Sequence, residues 1–352
     1  MTEQGSKPRV VRRTKANGAA AQPDVRRTPS QVPDLGVSMY VARTVGGARG
    51  LGLLRLSGAL ALVGSLFVVV ADFLPYLVLD DVEVVAGQDV WSILGHLVLL
   101  LLGGGAGVLM LAGRGGRVGP ALIAALAATA LGSLLQHIFA GQDPVRHDGS
   151  EYYFGELYTT AMIDGRSGRL LAIIGTAMLL GAGIAALIAW SDIAERDLLP
   201  LGAGRRVAGG AGGMSALLAV TAFLVPAATT RIAKYTDPSG LVLTQEFEQP
   251  HSVVTTSGLD LVGGILLLAG WVVAAAIVGA MTSRVTIVAA LAGIGALALN
   301  NALMNLRDIT EGPDLVAGPR LYLLLGAAVV ALGTAWYSAR VRDDADEQIL
   351  SV

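Results

Sequence analysis

The sequence of 352 residues has no cysteine, 5% aromatic residues and only 15% charged residues. Without cysteine there can be no disulfide, no thiolate metal site and no cysteine nucleophile; the redox compartment stays open. Soluble domains carry about a quarter of their residues as charges, so a chain this poor in charge is not an ordinary soluble protein. Stretches of about ten residues with polar–apolar alternation are also missing, which argues against an outer-membrane barrel. There is no HExxH, no GxSxG and no DxD pair in a loop; Asp80 and Asp81 are adjacent and so project differently. The glycine runs at 103–107 and 209–213 are not followed by Lys-Ser/Thr and open no βαβ unit, so they do not cradle a nucleotide. Their G-x-x-x-G spacing suits close helix packing instead. Catalysis is left without candidate residues. An enzyme is not expected, and no cofactor and no nucleic acid are implied.

What the sequence does have is apolar length. Hydrophobic residues make up 53% of it. They gather in eight runs, at 54–79, 90–111, 118–140, 170–190, 207–229, 258–279, 285–304 and 321–339. Each has roughly the twenty residues that a helix needs to cross a bilayer. The expected fold class is an all-α integral membrane protein of about eight transmembrane helices. Residues 1–50 form a basic tail with Pro8, Pro23, Pro29 and Pro33, too polar to order itself or to serve as a signal peptide. The first apolar run then acts as an uncleaved anchor, and residues 343–352 form a second, C-terminal tail.

Lys and Arg fix the orientation. With the N-terminus inside, 18 of the 25 lie on the inner side and 7 on the outer side. Positive charge stays in the cytoplasm, so both tails are expected there. The Arg-rich, Lys-poor composition fits a high-GC bacterial genome, and hence a bacterial plasma membrane. The longer loops then face outward. They include an acidic turn (Asp80, Asp81, Glu83, Asp89) and the stretch "SEYYFGELY", whose Tyr152, Tyr153, Phe154 and Tyr158 suit an interfacial aromatic belt.

The eight runs also repeat. A shift of 151 aligns Arg55 with Arg206, Gly58 with Gly209, Ala71 with Ala222 and Pro75 with Pro226, and "RLLAIIG" at 169 with "RLYLLLG" at 320. Between these, a shift of 164 aligns His96 with Asp260, and Gln136 and His137 with Asn300 and Asn301. Two tandem four-helix units are expected, 51–200 and 201–342. Four is even, so both enter the membrane in the same sense, as a parallel repeat about the membrane normal.

Within the apolar runs the polar residues stand out. Asp72 in "VVVADFLPYL" is expected about 10 Å below the outer surface, with Pro75 kinking its helix one turn later. An acid there needs a partner. His96, Gln136 and His137 sit at a similar level in the first unit, and Asp260, Asn300, Asn301 and Asn305 in the second; Asp260 also suits the positive end of its helix. Asp72, His96, Gln136, His137, Asp260, Asn300 and Asn301 are the candidate intramembrane site. They serve either as structural ties, as a proton-linked pair of Asp72 and His96, or as a weak metal site of Asp72, His96 and His137.

The tail carries "VRRT" twice, which suits anionic lipid, and phosphorylation of Thr14 or Thr28 would oppose that attraction. Two roles remain. The first is a non-catalytic accessory or scaffold subunit of envelope machinery with a membrane-protein partner. The second is a small-solute or ion transporter, whose coupling groups normally lie at the midplane. The midplane reads as apolar in the sequence, which places the accessory role first.

Overall fold

The computed structural model describes residues 48–79, 82–85, 89–114, 116–139, 150–153, 156–159, 163–192, 202–230, 233–236, 242–245, 258–311 and 315–340. Eight helical spans are long and apolar enough to cross a membrane. The first is α1 (Ala48–Ala71). The second is composite: α2 (Val90–Leu99), a π-helical segment Leu100–Gly104, then α3 (Gly105–Leu111). The third is broken into α4 (Val118–Ala127) and α5 (Ala130–Phe139), with turns at Ala128 and Thr129. The other five are α6 (Ser167–Asp192), α7 (Gly202–Leu224), α8 (Gly258–Ala280), α9 (Arg284–Glu311) and α10 (Pro319–Arg340). The chain is a multi-pass helical membrane protein.

Two spans end earlier than their apolar runs. Proline has no amide hydrogen, so a helix running through Pro75 would leave the Ala71 carbonyl unpaired. The chain turns instead, with the Leu74 amide donating to Ala71 O at 3.2 Å and the Phe73 amide to Val70 O at 3.1 Å. Pro75 therefore stops the helix rather than kinking it, and Asp72 sits just past the helix end, not 10 Å inside it. Likewise α7 stops at Leu224, two residues before Pro226.

The freed segments become strands, which the sequence did not announce. Nine short strands occur among the described residues. β1 (Pro75–Leu79) pairs antiparallel with β2 (Val82–Val85) on one side. β3 (Ser150–Tyr153) and β4 (Glu156–Thr159) form their own hairpin. β5 (Ile163–Gly165) closes on the other side of β1. β6 (Ala228–Thr230) is followed by the hairpin of β7 (Ala233–Thr236) and β8 (Val242–Gln245). β9 (Leu315–Ala317) pairs antiparallel with β6. All nine lie in the connections that follow odd-numbered spans. Pairing satisfies backbone groups that a helix end leaves open.

Helix packing follows one order in each half. α1 packs on α6 and on α3, and α4 on α6; α7 packs on α10 and on α8, and α9 on α10. Across the halves, α2 lies on α9, α5 on α8, and α4 on α9. The third and seventh spans are the innermost, 61% buried against 33–44% for the other six. Small residues permit the closest crossings. A Cβ on Gly107 would stand 2.6 Å from the Gly58 carbonyl, and one on Gly64 would stand 2.9 Å from the Gly175 carbonyl. The second glycine run behaves differently: Gly209, Gly210 and Gly213 have nothing within 4 Å of such a Cβ, and of that run only Gly212 meets a neighbour, Val278. The core is mainly alanine and leucine around the wholly buried Trp271, Met110, Ile294 and Leu324.

Candidate functional site

Asp72 and His96 meet. The turn after α1 carries Asp72 across to the second turn of the second span's helix, where its Oδ2 contacts His96 Nε2. The imidazole is buried, with 4% of its side chain exposed against 22% for the carboxylate. His96 Nδ1 has no hydrogen-bond partner among the described residues, and the Phe73 ring lies 6.4 Å from the imidazole, centroid to centroid. α2 itself starts on Asp89, whose carboxylate accepts from the amides of Trp91 (2.7 Å) and Ser92 (3.3 Å) and from the Ser92 hydroxyl (2.6 Å). Burial alone would raise the Asp89 carboxyl, but those hydrogen bonds and the charge of Arg307 hold it below the ordinary carboxylate value. One member of the acidic turn is therefore a helix cap.

His137 does not join the pair. Its Nδ1 shares a hydrogen bond of 2.8 Å with the Tyr76 hydroxyl, anchoring strand β1 to the end of α5. Arg169 secures the same end by donating to the carbonyls of His137 (3.0 Å) and Ile138. Among the described residues no three of His, Cys, Asp and Glu come together to hold a metal ion, so the metal reading of Asp72, His96 and His137 is not carried by the geometry. Gln136 lies at a helix crossing, its Cγ 3.0 Å from where a Cβ on Gly263 would stand.

The asparagines of the second half cross into the first. A Cβ at Gly95 would stand 2.7 Å from Asn300 Oδ1, which puts Asn300 against the second span, one residue from His96. Asn301 donates to the Leu297 carbonyl on its own helix (2.8 Å), and buried Asn305 donates to Ala227 O (3.4 Å). Asp260 is the third residue of α8; its side chain lies outside the described residues. So do Thr14, Thr28, Phe154, the tails, and the side chains of Tyr152, Tyr153 and Tyr158.

A cavity of about 180 Å³ lies where three of these residues, His137, Asn300 and Asn301, converge. Ser65, Thr129, Ser133, Thr176, Trp271 and Asn300 line it together with Asn301, His137 and apolar side chains. Thr129, Thr176 and Trp271 stand halfway along their spans, so the cavity reaches from mid-depth toward the strand-bearing end. Its wall is where the helices are irregular. Gly103 belongs to the π-helical segment, and Thr129 is the break between α4 and α5. Irregular backbone at membrane depth is tolerated where it lines a cavity, and π segments often mark functional sites. Two of the lining residues each hold a polar atom that is buried without a partner among the described residues, Trp271 Nε1 and Asn300 Oδ1. Each unmet group costs about 1–3 kcal/mol.

The sequence named His137, Asn300 and Asn301 but missed Ser65, Thr129, Ser133, Thr176 and Trp271. One signal was there to read. Thr129, Ser133 and His137 are spaced by four, a single stripe on one helical face. Compared with family models, with curated proteins and with solved structures, the chain matches none.

Proposed function

We propose that the protein is a small-solute transporter whose substrate site is the cavity between two four-span units. The observation that carries this reading is the coincidence of three features in one place. There is a cavity at mid-depth, the second span carries a π-helical segment and the third a two-residue break in its wall, and two of its lining residues, Trp271 and Asn300, each hold a buried polar atom without a partner among the described residues. Transporters of repeated architecture bind at the midplane, at the repeat interface, beside discontinuous helices. The accessory-subunit role rested on an apolar midplane, and the hydroxyls, indole and amides around the cavity remove that support.

The two units are read as a parallel repeat. In support, α1 and α6 are joined by β1–β5 pairing as α7 and α10 are by β6–β9, and the packing of α2 on α9 mirrors that of α8 on α5. The matched arginines diverge, since Arg169 holds the end of the third span and Arg320 that of the fifth, at Ala222 and Val225. Both tails lie in the cytoplasm of a bacterial cell on the 18:7 charge bias, and the basic N-terminal tail rests on anionic lipid.

Asp72 and His96 lie outside the cavity lining and tie the first two spans. A cysteine-free chain makes the test direct. T129C, on the cavity, reacts with a small water-soluble methanethiosulfonate, while I294C, wholly buried elsewhere, does not. Two inert thiols would contradict a substrate site.

A further inference from the structure

The strand-bearing end of the cavity holds His137. Among the described residues that line the cavity it is the one whose charge can change near neutral pH. Its neighbours come from several elements. From β1, the Tyr76 hydroxyl meets Nδ1 at 2.8 Å, with the two rings edge to face at 6.0 Å between centroids. The charge of Asp72, from the turn after α1, and that of Arg169, from α6, both reach the imidazole. Asp72 is itself against His96 of α2, and Arg169 donates to the carbonyls of His137 and Ile138. α4 brings no charged residue, and the one on α8 is Asp260, whose side chain lies outside the described residues.

These influences oppose one another. A carboxylate favours a positive imidazole beside it, while burial and a guanidinium disfavour it. The hydrogen bond links that charge to the fold. A neutral imidazole accepts at one nitrogen, whereas an imidazolium donates from both, and a tyrosine hydroxyl can do either. Where Tyr76 donates to Nδ1, a proton arriving on that nitrogen removes the acceptor. Tyr76 must then turn its own hydrogen elsewhere and accept instead. The contact that seats β1 on the end of α5 thus changes sense beside the cavity.

Resting on the transporter reading above, we propose that the protein is proton-linked and that His137 is the group that takes up the proton. In the neutral state Tyr76 donates to His137 Nδ1 and holds β1 on α5. With the proton bound that hydrogen bond reverses, Asp72 balances the new charge, and the cavity opens more readily at its strand-bearing end. The proton comes from water and returns to water, so no other bond is made or broken. The contact of Asp72 with His96 remains a tie between the first two spans, and Asp72 acts on His137 through its charge.

Two measurements on the purified full chain in nanodiscs test this. The first is NMR of nitrogen-15 histidine, in which His137→Gln identifies the His137 signals among those of the chain's four histidines. His137 is expected to titrate between about pH 5 and 8, with Nδ1 an acceptor above its midpoint and a donor below it. Asp72→Asn should lower that midpoint by about one pH unit, a tenfold loss of proton affinity. The second is the labelling of T129C by a small water-soluble methanethiosulfonate. Its rate is divided at each pH by that of free N-acetylcysteine, which removes the ordinary titration of a thiol. The ratio should rise several-fold as His137 gains its proton, and should be flat in His137→Gln. Tyr76→Phe should also flatten it while His137 still titrates, which reports that this variant is folded. A His137 that keeps one charge state across the range, a midpoint unmoved by Asp72→Asn, or an unaltered labelling profile in Tyr76→Phe would each overturn the assignment. If T129C is labelled at a ratio that does not change with pH, only the proton link falls; if T129C is inert at every pH, the transporter reading falls with it.

Discussion

At the scale of single residues, partners decide what each polar group does. Asp72 faces a buried imidazole, so its amide and its aliphatic replacement should differ. Asp72→Asn keeps a side chain that can hydrogen-bond His96 and should melt close to the parent protein. Asp72→Leu strands the buried imidazole and should cost about 1–3 kcal/mol in detergent unfolding. Equal melting of the two variants would show that the contact ties nothing. A proton-linked role predicts something else, namely a well-folded Asp72→Asn protein that loses a pH-dependent activity. Asp89 supplies a second case. Its carboxyl is held below the ordinary value in the folded protein, so its contribution is full at neutral pH and is lost as pH falls through that depressed folded value. Asp89→Ala should cost about 1 kcal/mol at neutral pH, as for other N-caps, with the deficit shrinking in strong acid. An unchanged deficit at low pH would assign the loss to packing rather than charge.

At the scale of elements, the sequence displayed the spans well and their ends poorly. Twenty apolar residues are legible as a helix without knowing what lies beside them, and all eight spans are found. "PYLVL" is also apolar and reads as part of the helix; pairing with β2 on one side and with "IDG" on the other makes it β1, and "IDG" lies far along the chain with no pattern of its own. The same holds for the site. Asp72 and His96 were conspicuous because charge in an apolar run is costly, whereas Thr129, Thr176 and Trp271 are unremarkable in any membrane helix. Their convergence depends on how spans rotate against one another, which packing settles. Close crossings give a test at this scale. Gly107 faces the Gly58 carbonyl so tightly that Gly107→Leu must separate α1 from α3, and overpacking of that kind costs about 1–3 kcal/mol or more. Gly213→Leu, with nothing within 4 Å, should leave the melting point unchanged. A similar loss in both would mean that the two glycine runs play the same part.

At the scale of the whole molecule, the claim is that two four-span units enclose a substrate site while both tails stay in the cytoplasm. Orientation is checked by S38C and S150C in intact cells, where only S150C should be modified by an impermeant reagent; modification of both would refute the eight-span arrangement. The central claim makes a stronger demand. A transporter must open its site to each face in turn, whereas a scaffold with an internal cavity need open it to neither. The decisive measurement is the labelling rate of T129C by a small uncharged, water-soluble methanethiosulfonate, applied from outside to right-side-out vesicles and again to inside-out vesicles, each with an impermeant thiol in the lumen to quench reagent that crosses the bilayer. The account predicts modification from both faces. Modification from one face alone, or from neither, would contradict it.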